Sequence, residues 1–562
     1  MTDTLHAPPK VSGNETLKEA DPALAGTIAA TLRDAAADRF SKDDGYFLKF
    51  HGIYQQDDRD LRKSGKEFIF MVRCRIPGGA LRPEQYLACD DLATRYGNGT
   101  LRVTSRQGLQ FHGVAKRGLG PLVKSIHDTL LTTLSACGDV NRNVMAPASP
   151  PQDELGRQVR EHARDVAAAL APTATGYHGI WVEGVPLELH DPPEARPVDP
   201  LYGKTYLPRK FKLAFVVPPR NDVDILTNCC GFVAIADSAG ALAGYVLTAG
   251  GGMGRSHANG ATFPRLADAI GFLPPDKAVE VAKGVLTIHR DFGDRANRKH
   301  ARLKYVLEDR GPGWFREELD RRIGFTLSDP RPFRFEAQGD PMGWHVQADG
   351  RLFLGLFVET GRIRDGERER LKTTLRAVVE QYRPEIRLTP SNNVLLVGIE
   401  PALRDDITRH FAANGVIVGG QGSVLRRASM ACVALPTCGL AVAESERYLP
   451  SLVSRIEAVL GELGLAGQEI LIRMTGCPNG CARPYTAEIG FVGRSLGLYE
   501  VWLGGNDVGT RLNRIYKDNV KDADIVGELR PLLARYAAER GDRERFGDWC
   551  ARAVWNDRPD AR

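Results

Sequence analysis

The feature that most constrains this chain is a segment that occurs twice. LRVTSRQGLQFHGV at 101–114 returns 285 positions later as IRLTPSNNVLLVGI at 386–399. Arg102 meets Arg387, Thr104 meets Thr389 and Gly113 meets Gly398. Each copy reads as a strand pair around a polar turn. The upstream elements repeat too. EFIFMVRCRI (67–76) predicts a strand, Pro77-Gly78-Gly79 a turn and 83–96 a helix; RLFLGLFVETG (351–361) leads through a glycine turn to a charged helix ending near 381. Two copies cannot build a solenoid, so the reading is a duplicated module with pseudo-twofold symmetry. The first copy carries Arg106, Gln107, Gln110 and His112 where the second has Ser391, Asn392, Leu395 and Val397. One copy is expected to be functional, the other structural.

A weaker echo pairs 232–255 with 488–511, each a hairpin ending in a glycine-rich turn and an arginine. Such turns either let backbone amides approach an anion or simply close a hairpin. Residues 1–45 read as a loosely held polar arm around a short helix near 25–38. The charges of FHGIYQQDDRD (50–60) argue against a core strand there. Divisions fall near 135, 335 and 420. No apolar run approaches the roughly 18 residues of a spanning helix, and the first residues lack the apolar stretch of a secretory signal. The 75 basic and 70 acidic residues leave a net charge of +5, too little to argue for nucleic-acid binding. A soluble cytoplasmic protein with no membrane or nucleic-acid partner is expected.

Cys432, Cys438, Cys477 and Cys481 form a C-x5-C and C-x3-C set within ACVALPTCGLA and RMTGCPNGCARP. Four soft thiolates suit an iron–sulfur cluster or zinc; the wide first spacing counts against zinc, and both stay open on spacing alone. The Pro-Asn-Gly insert lets the chain double back so that two sulfurs face one group. The other six cysteines (Cys74, Cys89, Cys137, Cys229, Cys230, Cys550) show no second four-ligand pattern and read as packing residues.

Cations sit beside apolar stretches: Arg73 and Arg75 around Cys74, Arg142 in VNRNVM, and Arg209, Lys210 and Lys212 in TYLPRKFKLAFVV. Strand alternation puts Lys210 and Lys212 on one face and Phe211 on the other. Singly, each would pair with a carboxylate; together they suggest a site for a polyanionic cofactor or a small oxyanion. His112, beside Arg106 and Gln110, joins as a cofactor contact. There is no G-x-G-x-x-G, and Gly203-Lys204-Thr205 lacks the earlier P-loop glycine, since Val198 stands there.

LRVTSRQGLQFHG, NRN, TYLPRKFK, CVALPTCGLAVAESER and TGCPNGCARP resemble the sirohaem- and [4Fe–4S]-containing sulfite and nitrite reductases. FHGIYQQDDRD and the length resemble the haemoprotein (beta) subunits of the NADPH-dependent assimilatory sulfite reductases of bacteria. The resemblance implies a three-part α+β fold: an arm (1–66), duplicated ferredoxin-like half-domains (67–134 plus 336–419) and two larger α/β units (135–335 and 420–562). It implies that Cys432, Cys438, Cys477 and Cys481 hold a [4Fe–4S] cluster, with Cys481 also ligating the sirohaem iron. Arg102, Thr104, Arg106, His112, Arg209, Arg302 and Asn479 match positions expected to contact the macrocycle, which carries eight carboxylates. Arg73, Arg142, Lys210 and Lys212 match the cations on the substrate side. The implied activity is six-electron reduction of sulfite to sulfide, in sulfate assimilation and cysteine biosynthesis. Electrons would come from NADPH through a separate diflavin (FAD/FMN) reductase. A ferredoxin-dependent sulfite or nitrite reductase is the related alternative, and a zinc-stapled anion-binding regulator the alternative from another class.

Overall fold

The structure, a computed structural model, describes residues 11–173, 181–182, 185–186, 198–367, 369–420 and 422–556. The first ten residues of the expected arm lie outside these.

Two five-stranded sheets embody the first echo. One runs in the order Ile53–Asp57, Phe68–Arg73, Leu109–Val114, Leu101–Val103, Arg362–Ile363; the other runs Gly343–Val346, Leu352–Leu356, Val394–Ile399, Glu385–Leu388, Ala80–Leu81. Each therefore ends in a two-residue strand borrowed from the other half. Arg362 and Ile363 pair with Arg102 and Leu101, while Leu81 and Ala80 pair with Ile386 and Arg387. The exchange is reciprocal down to side chains. Gln107 donates to the Leu388 carbonyl at 3.1 Å, and its counterpart Asn392 donates to the Val103 carbonyl at 2.8 Å. Gln107 and Asn392 hold φ of 53° and 72°, and Gly79 and Gly361 hold 71° and 81°. A Cβ at either glycine would lie within 2.7 Å of the facing carbonyl, so these turns require glycine. Gln107, expected among the functional residues, is thus a structural residue at the local twofold. Helices Pro83–Tyr96 and Leu371–Tyr382 cover the paired sheets, and one core spans both halves.

The second echo is also architectural. Leu213–Val216 runs parallel to Cys230–Ala236, which turns back antiparallel into Leu242–Ala249 and then Asp268–Leu273. Ile472–Thr475 runs parallel to Ile489–Ser495, which turns back into Leu498–Leu503 and then Arg514–Lys521, with Ser429–Ala431 added in parallel on the other side. Leu213 pairs with Cys230, and Ile472 pairs with Ile489, so the structural offset of these strands is 259. The first hairpin has the longer turn, and beyond it the offset becomes 254, with Gly250 matching Gly504 at φ of 88° and 95°. An ungapped comparison at 256 averages the two. The amides of these glycine turns are already spent. Gly250 and Gly251 donate to the carbonyls of Cys229 and Asn228, and Gly504 and Gly505 to those of Glu488 and Ala487. They close hairpins.

Two further expectations change. The described part of the arm is not loose. Lys18 is fully buried and donates to Glu15 at 2.6 Å and to the Leu207 carbonyl at 2.8 Å, while Arg295 bonds Glu15. Its helices are Gly13–Ala20, Ile28–Arg33 and Lys42–Phe47, and Ser41 caps the last through the Asp44 amide. The charged word at 50–60 does form a strand, Ile53–Asp57, and its charges are tolerated because it is an edge strand. No described helix is long and apolar enough to cross a membrane.

Candidate active site

The cysteines gather because of strand order. Cys432 directly follows Ser429–Ala431, and Cys477 and Cys481 follow Ile472–Thr475; the two strands are parallel neighbours, so both loops leave the same carboxyl-terminal edge. The Cys432 amide donates to the Met474 carbonyl at 3.1 Å, and the Gly476 amide points at Cys432 Sγ at 3.4 Å. Within Pro-Asn-Gly, Gly480 has φ of 64°, and a Cβ there would lie 3.0 Å from Met253. Asn479 Nδ2 donates to Cys477 Sγ at 3.3 Å. Burial pushes the Cys432 thiol up, and the charges of Cys481, Cys477 and Cys438 push it further; Cys477 and Cys438 rise for the same reasons. Four mutually repelling sulfurs suit a cationic metal group. Four thiolates on two neighbouring loops fit an iron–sulfur cluster as a donor set. Cys481 is the exposed member of the four.

Cys481 faces the cations. Lys210 and Lys212 flank the fully buried Phe211, as alternation predicts, and both feel the Cys481 charge. Neither ammonium has a hydrogen bond or ion pair among the described residues. Burial, then Arg209 and Arg302, brings Lys210 down to about 7; burial, then Lys210 and Arg106, lowers Lys212 as well. Arg142 is buried and donates to the carbonyls of Gly138 at 2.8 Å and Ala136 at 3.3 Å. Arg73 donates to Cys137 Sγ at 3.0 Å and, with the Gln110 amide oxygen turned toward it, to Gln110 at 3.1 and 2.5 Å. Burial opposes the Arg73 charge, but Cys137, Tyr54, Cys481 and Cys438 outweigh it, so Arg73 stays a cation. Arg73, Lys210 and Lys212 each feel the Cys481 charge, and Arg142 acts on Lys210.

The other expected contacts divide. His112 is buried with neither ring nitrogen bonded, and burial plus Arg362 and Arg102 keep it neutral. The Nε atoms of Arg106 and Arg302 are likewise buried and unpartnered. Arg106 reaches Asn228 at 2.8 Å and Arg302 reaches Cys229 Sγ at 3.3 Å. Arg209 leans on Asp139 at 3.7 Å, a carboxylate shared with Arg298 and the Tyr46 hydroxyl. So many orphaned donors beside an excess of cations fit a bound polycarboxylate. Arg102 and Thr104 differ. Arg102 pairs with Glu446 at 2.7 Å and caps the carbonyls of Thr360 and Ala431, and the Thr104 hydroxyl accepts the Gly108 amide at 3.0 Å. Both already have protein partners around the site.

Sequence reasoning missed four residues here. Tyr54 faces Arg142, Arg73 and Arg209. Arg59 donates to the carbonyls of Cys438 at 2.8 Å and Ala441 at 2.5 Å. Arg483, at φ of 56°, bonds the carbonyls of Ser105 and Pro390 and pairs with Asp224. Tyr54, Arg59 and Arg483 stand inside quoted motifs, so their positions were signalled; Asp224 carried no signal until the 259 offset set it opposite Arg483.

Comparison with known proteins agrees with this geometry. Residues 62–128 and 345–414 match the nitrite/sulfite reductase ferredoxin-like half domain, and 164–327 match the nitrite and sulphite reductase 4Fe-4S domain. The latter match covers the first parallel-edged sheet; the four cysteines sit on its counterpart. The chain is 44% identical over 550 residues to the sulfite reductase [NADPH] hemoprotein beta-component of Staphylococcus saprophyticus, covering 97% of this chain and 96% of that protein. The protein of the same name from Methylobacterium sp. is 48% identical over 97% and 90%. The solved structure of Mycobacterium tuberculosis NirA superposes with a TM-score of 0.79 over 97% of both chains at 24% identity, a likeness of fold. From the duplicated sheets, the four gathered sulfurs and the length of these matches, the chain belongs to the nitrite and sulfite reductase family.

Proposed function

We propose that this chain is the haemoprotein component of an NADPH-dependent assimilatory sulfite reductase in the cytoplasm. The observation that carries this reading is the pair of unpartnered ammoniums, Lys210 and Lys212, facing the one exposed cysteine of a four-cysteine set. Cys432, Cys438, Cys477 and Cys481 would hold a [4Fe–4S] cluster, with Cys481 shared with sirohaem iron, and His112, Arg102, Thr104, Arg106, Arg209, Arg302 and Asn479 would face the macrocycle. When bound, these groups supply single electrons and a coordination position for sulfur.

The protein's own residues do the rest. Sulfite takes up six electrons and seven protons to give bisulfide and three waters, so each departing oxygen must be protonated. Arg73 and Arg142 remain charged and clamp the anion through forked donors. Lys210, brought down to about 7, can give a proton near neutral pH and recover it. Lys212 adds charge where oxygen leaves. Neutral His112 can donate one N–H to a carboxylate.

The chain carries no dinucleotide fingerprint, and its relatives are named beta-components. A diflavin reductase would feed it. The purified protein should show sirohaem absorption in the visible, reduce sulfite to sulfide with a reduced viologen dye, and do nothing with NADPH until a diflavin reductase is added. NADPH turnover by the single chain, or a colourless protein, overturns the reading.

A further inference from the structure

A second basic site has a lining that includes none of the four cysteines and neither Lys210 nor Lys212. A cavity of about 390 Å³ is lined by Arg75, Arg82, Arg164, Gln85, Ala167 and Glu385, with Pro77 and the borrowed strand Ala80–Leu81. Arg75 is 7% exposed, and its Nε is buried without a partner. Its one hydrogen bond runs from Nη2 to the Ala167 carbonyl at 2.5 Å, in the last turn of helix Glu154–Ala169. A carbonyl at a helix end offsets part of a charge and leaves two of the three guanidinium nitrogens unspent.

Nothing else in the wall supplies a counter-ion. Arg82 and Arg164 are exposed and form no ion pair among the described residues. The acid in the wall, Glu385, is bonded to Arg387 at 2.5 Å. Glu84, in the first turn of helix Pro83–Tyr96, is turned away to Arg383. The amino-terminal end of that helix opens on the cavity through Arg82 and Gln85, so the positive end of its dipole adds to the three guanidiniums. Behind the wall, burial lowers the pKa of Arg160, which feels Arg387 and Arg164 as well as the carboxylates Glu385 and Asp222.

We infer that this cavity is an anion-binding site for a doubly charged tetrahedral oxyanion group, free sulfate or phosphate or the same group on a small ester. A guanidinium buried with unspent donors, two unpaired arginines and a helix amino terminus are the partners such a group uses. The Arg75 backbone, two residues beyond Arg73, is fixed by its amide's bond to the Thr132 carbonyl at 2.8 Å.

The test uses the holoenzyme, titrated calorimetrically with sodium sulfate and, separately, with glycerol 3-phosphate, at ionic strength fixed with chloride. The substrate site also takes oxyanions, so the readout is the difference between wild type and R82A/R164A, two residues outside the proposed active site. Loss of two charge-assisted partners should weaken binding of at least one probe by tenfold or more, with visible absorption and dye-linked sulfite reduction unchanged. Tighter binding of sulfate marks the free ion as the ligand, and tighter binding of glycerol 3-phosphate marks the ester. Equal affinities in wild type and R82A/R164A for both probes would overturn the assignment. R75M serves as a check from inside the cavity: if it folds, it should lose the same binding, and retained binding would also overturn it.

Discussion

At the scale of single residues, burial decides what each cation can do. Lys210 and Lys212 are the two site cations whose pKa burial and neighbouring cations lower, whereas Arg73 is held charged by nearby sulfur. Removing Lys212 tests substrate choice. Sulfite reaches two negative charges and nitrite only one, so loss of a nearby cation should cost sulfite more. A charge-assisted contact of about 1.5–3 kcal/mol corresponds to one to two decades. Lys212→Asn should lower kcat/KM for sulfite at least about tenfold while nitrite reduction falls less, both assayed with a dye donor. Equal small losses would leave Lys212 as cover for a strand end. Lys210 predicts a pH effect. Its ammonium is present below its pKa and lost as pH rises, so kcat/KM should fall on the alkaline side, from about 7 upward as bound carboxylates draw the value up. Arginine cannot lose its proton in that range. Lys210→Arg should therefore move the alkaline limb upward and lower kcat. Sulfite titrates near neutrality too, so the shift between the two proteins is the readout, and coincident limbs would remove Lys210 from proton transfer.

At the scale of elements, the cysteine loops are fixed from outside themselves. Arg59, on the segment after an edge strand, bonds two carbonyls of the loop that carries Cys438, and its own amide donates to the Pro436 carbonyl at 3.3 Å. Arg59→Ala leaves those carbonyls unpaired, at about 1–3 kcal/mol of local stability. The expected result is cluster loss to an iron chelator several-fold faster than in wild type, with Arg59→Lys between the two; equal rates would show that the loop holds itself. Much of this was legible in sequence. Alternating apolar residues and the glycine turns placed helix Pro83–Tyr96 to the residue, the strand pair within 101–114, and a strand at 67–76 that ends three residues earlier, at Arg73. The borrowed strands Ala80–Leu81 and Arg362–Ile363 were not legible, because two residues carry no periodicity and pairing with the other half is a tertiary fact. The arm misled for the opposite reason. Its polar composition hid Lys18 and Glu15, which are buried as a pair rather than as apolar side chains.

At the scale of the whole molecule, the duplication has been broken on one side. The 259 offset sets Lys210 and Lys212 against Glu469 and Leu471, which line a smaller cavity of about 120 Å³ with Ser391, the counterpart of Arg106. The cations therefore survive on one side of the pseudo-twofold and not on the other, which is why the first copy looked functional. Where the two halves meet, the divergence is complementary. Asp224 and Arg483 occupy equivalent left-handed positions, at φ of 48° and 56°, and pair with each other. Arg473 joins Asp224 at 2.9 Å, and Asp224 is fully buried. Burial works against the carboxylate, but Arg473 and Arg483 hold its pKa below the usual range. A depressed carboxylate contributes stability above its unfolded pKa, and that contribution is lost as pH falls through the folded value. Asp224→Asn removes the one carboxylate between two buried guanidiniums, and breaking such a buried pair costs about 3–5 kcal/mol. Arg483 also ties Ser105 and Pro390 to the turn after Cys481, so the loss should loosen both half-domains from the cysteine loops. Denaturant unfolding at neutral pH should show that loss, and the gap between wild type and variant should narrow as pH is lowered below 4. An unchanged midpoint at neutral pH would mean that the two arginines find other partners and that the meeting of the halves does not depend on this charge.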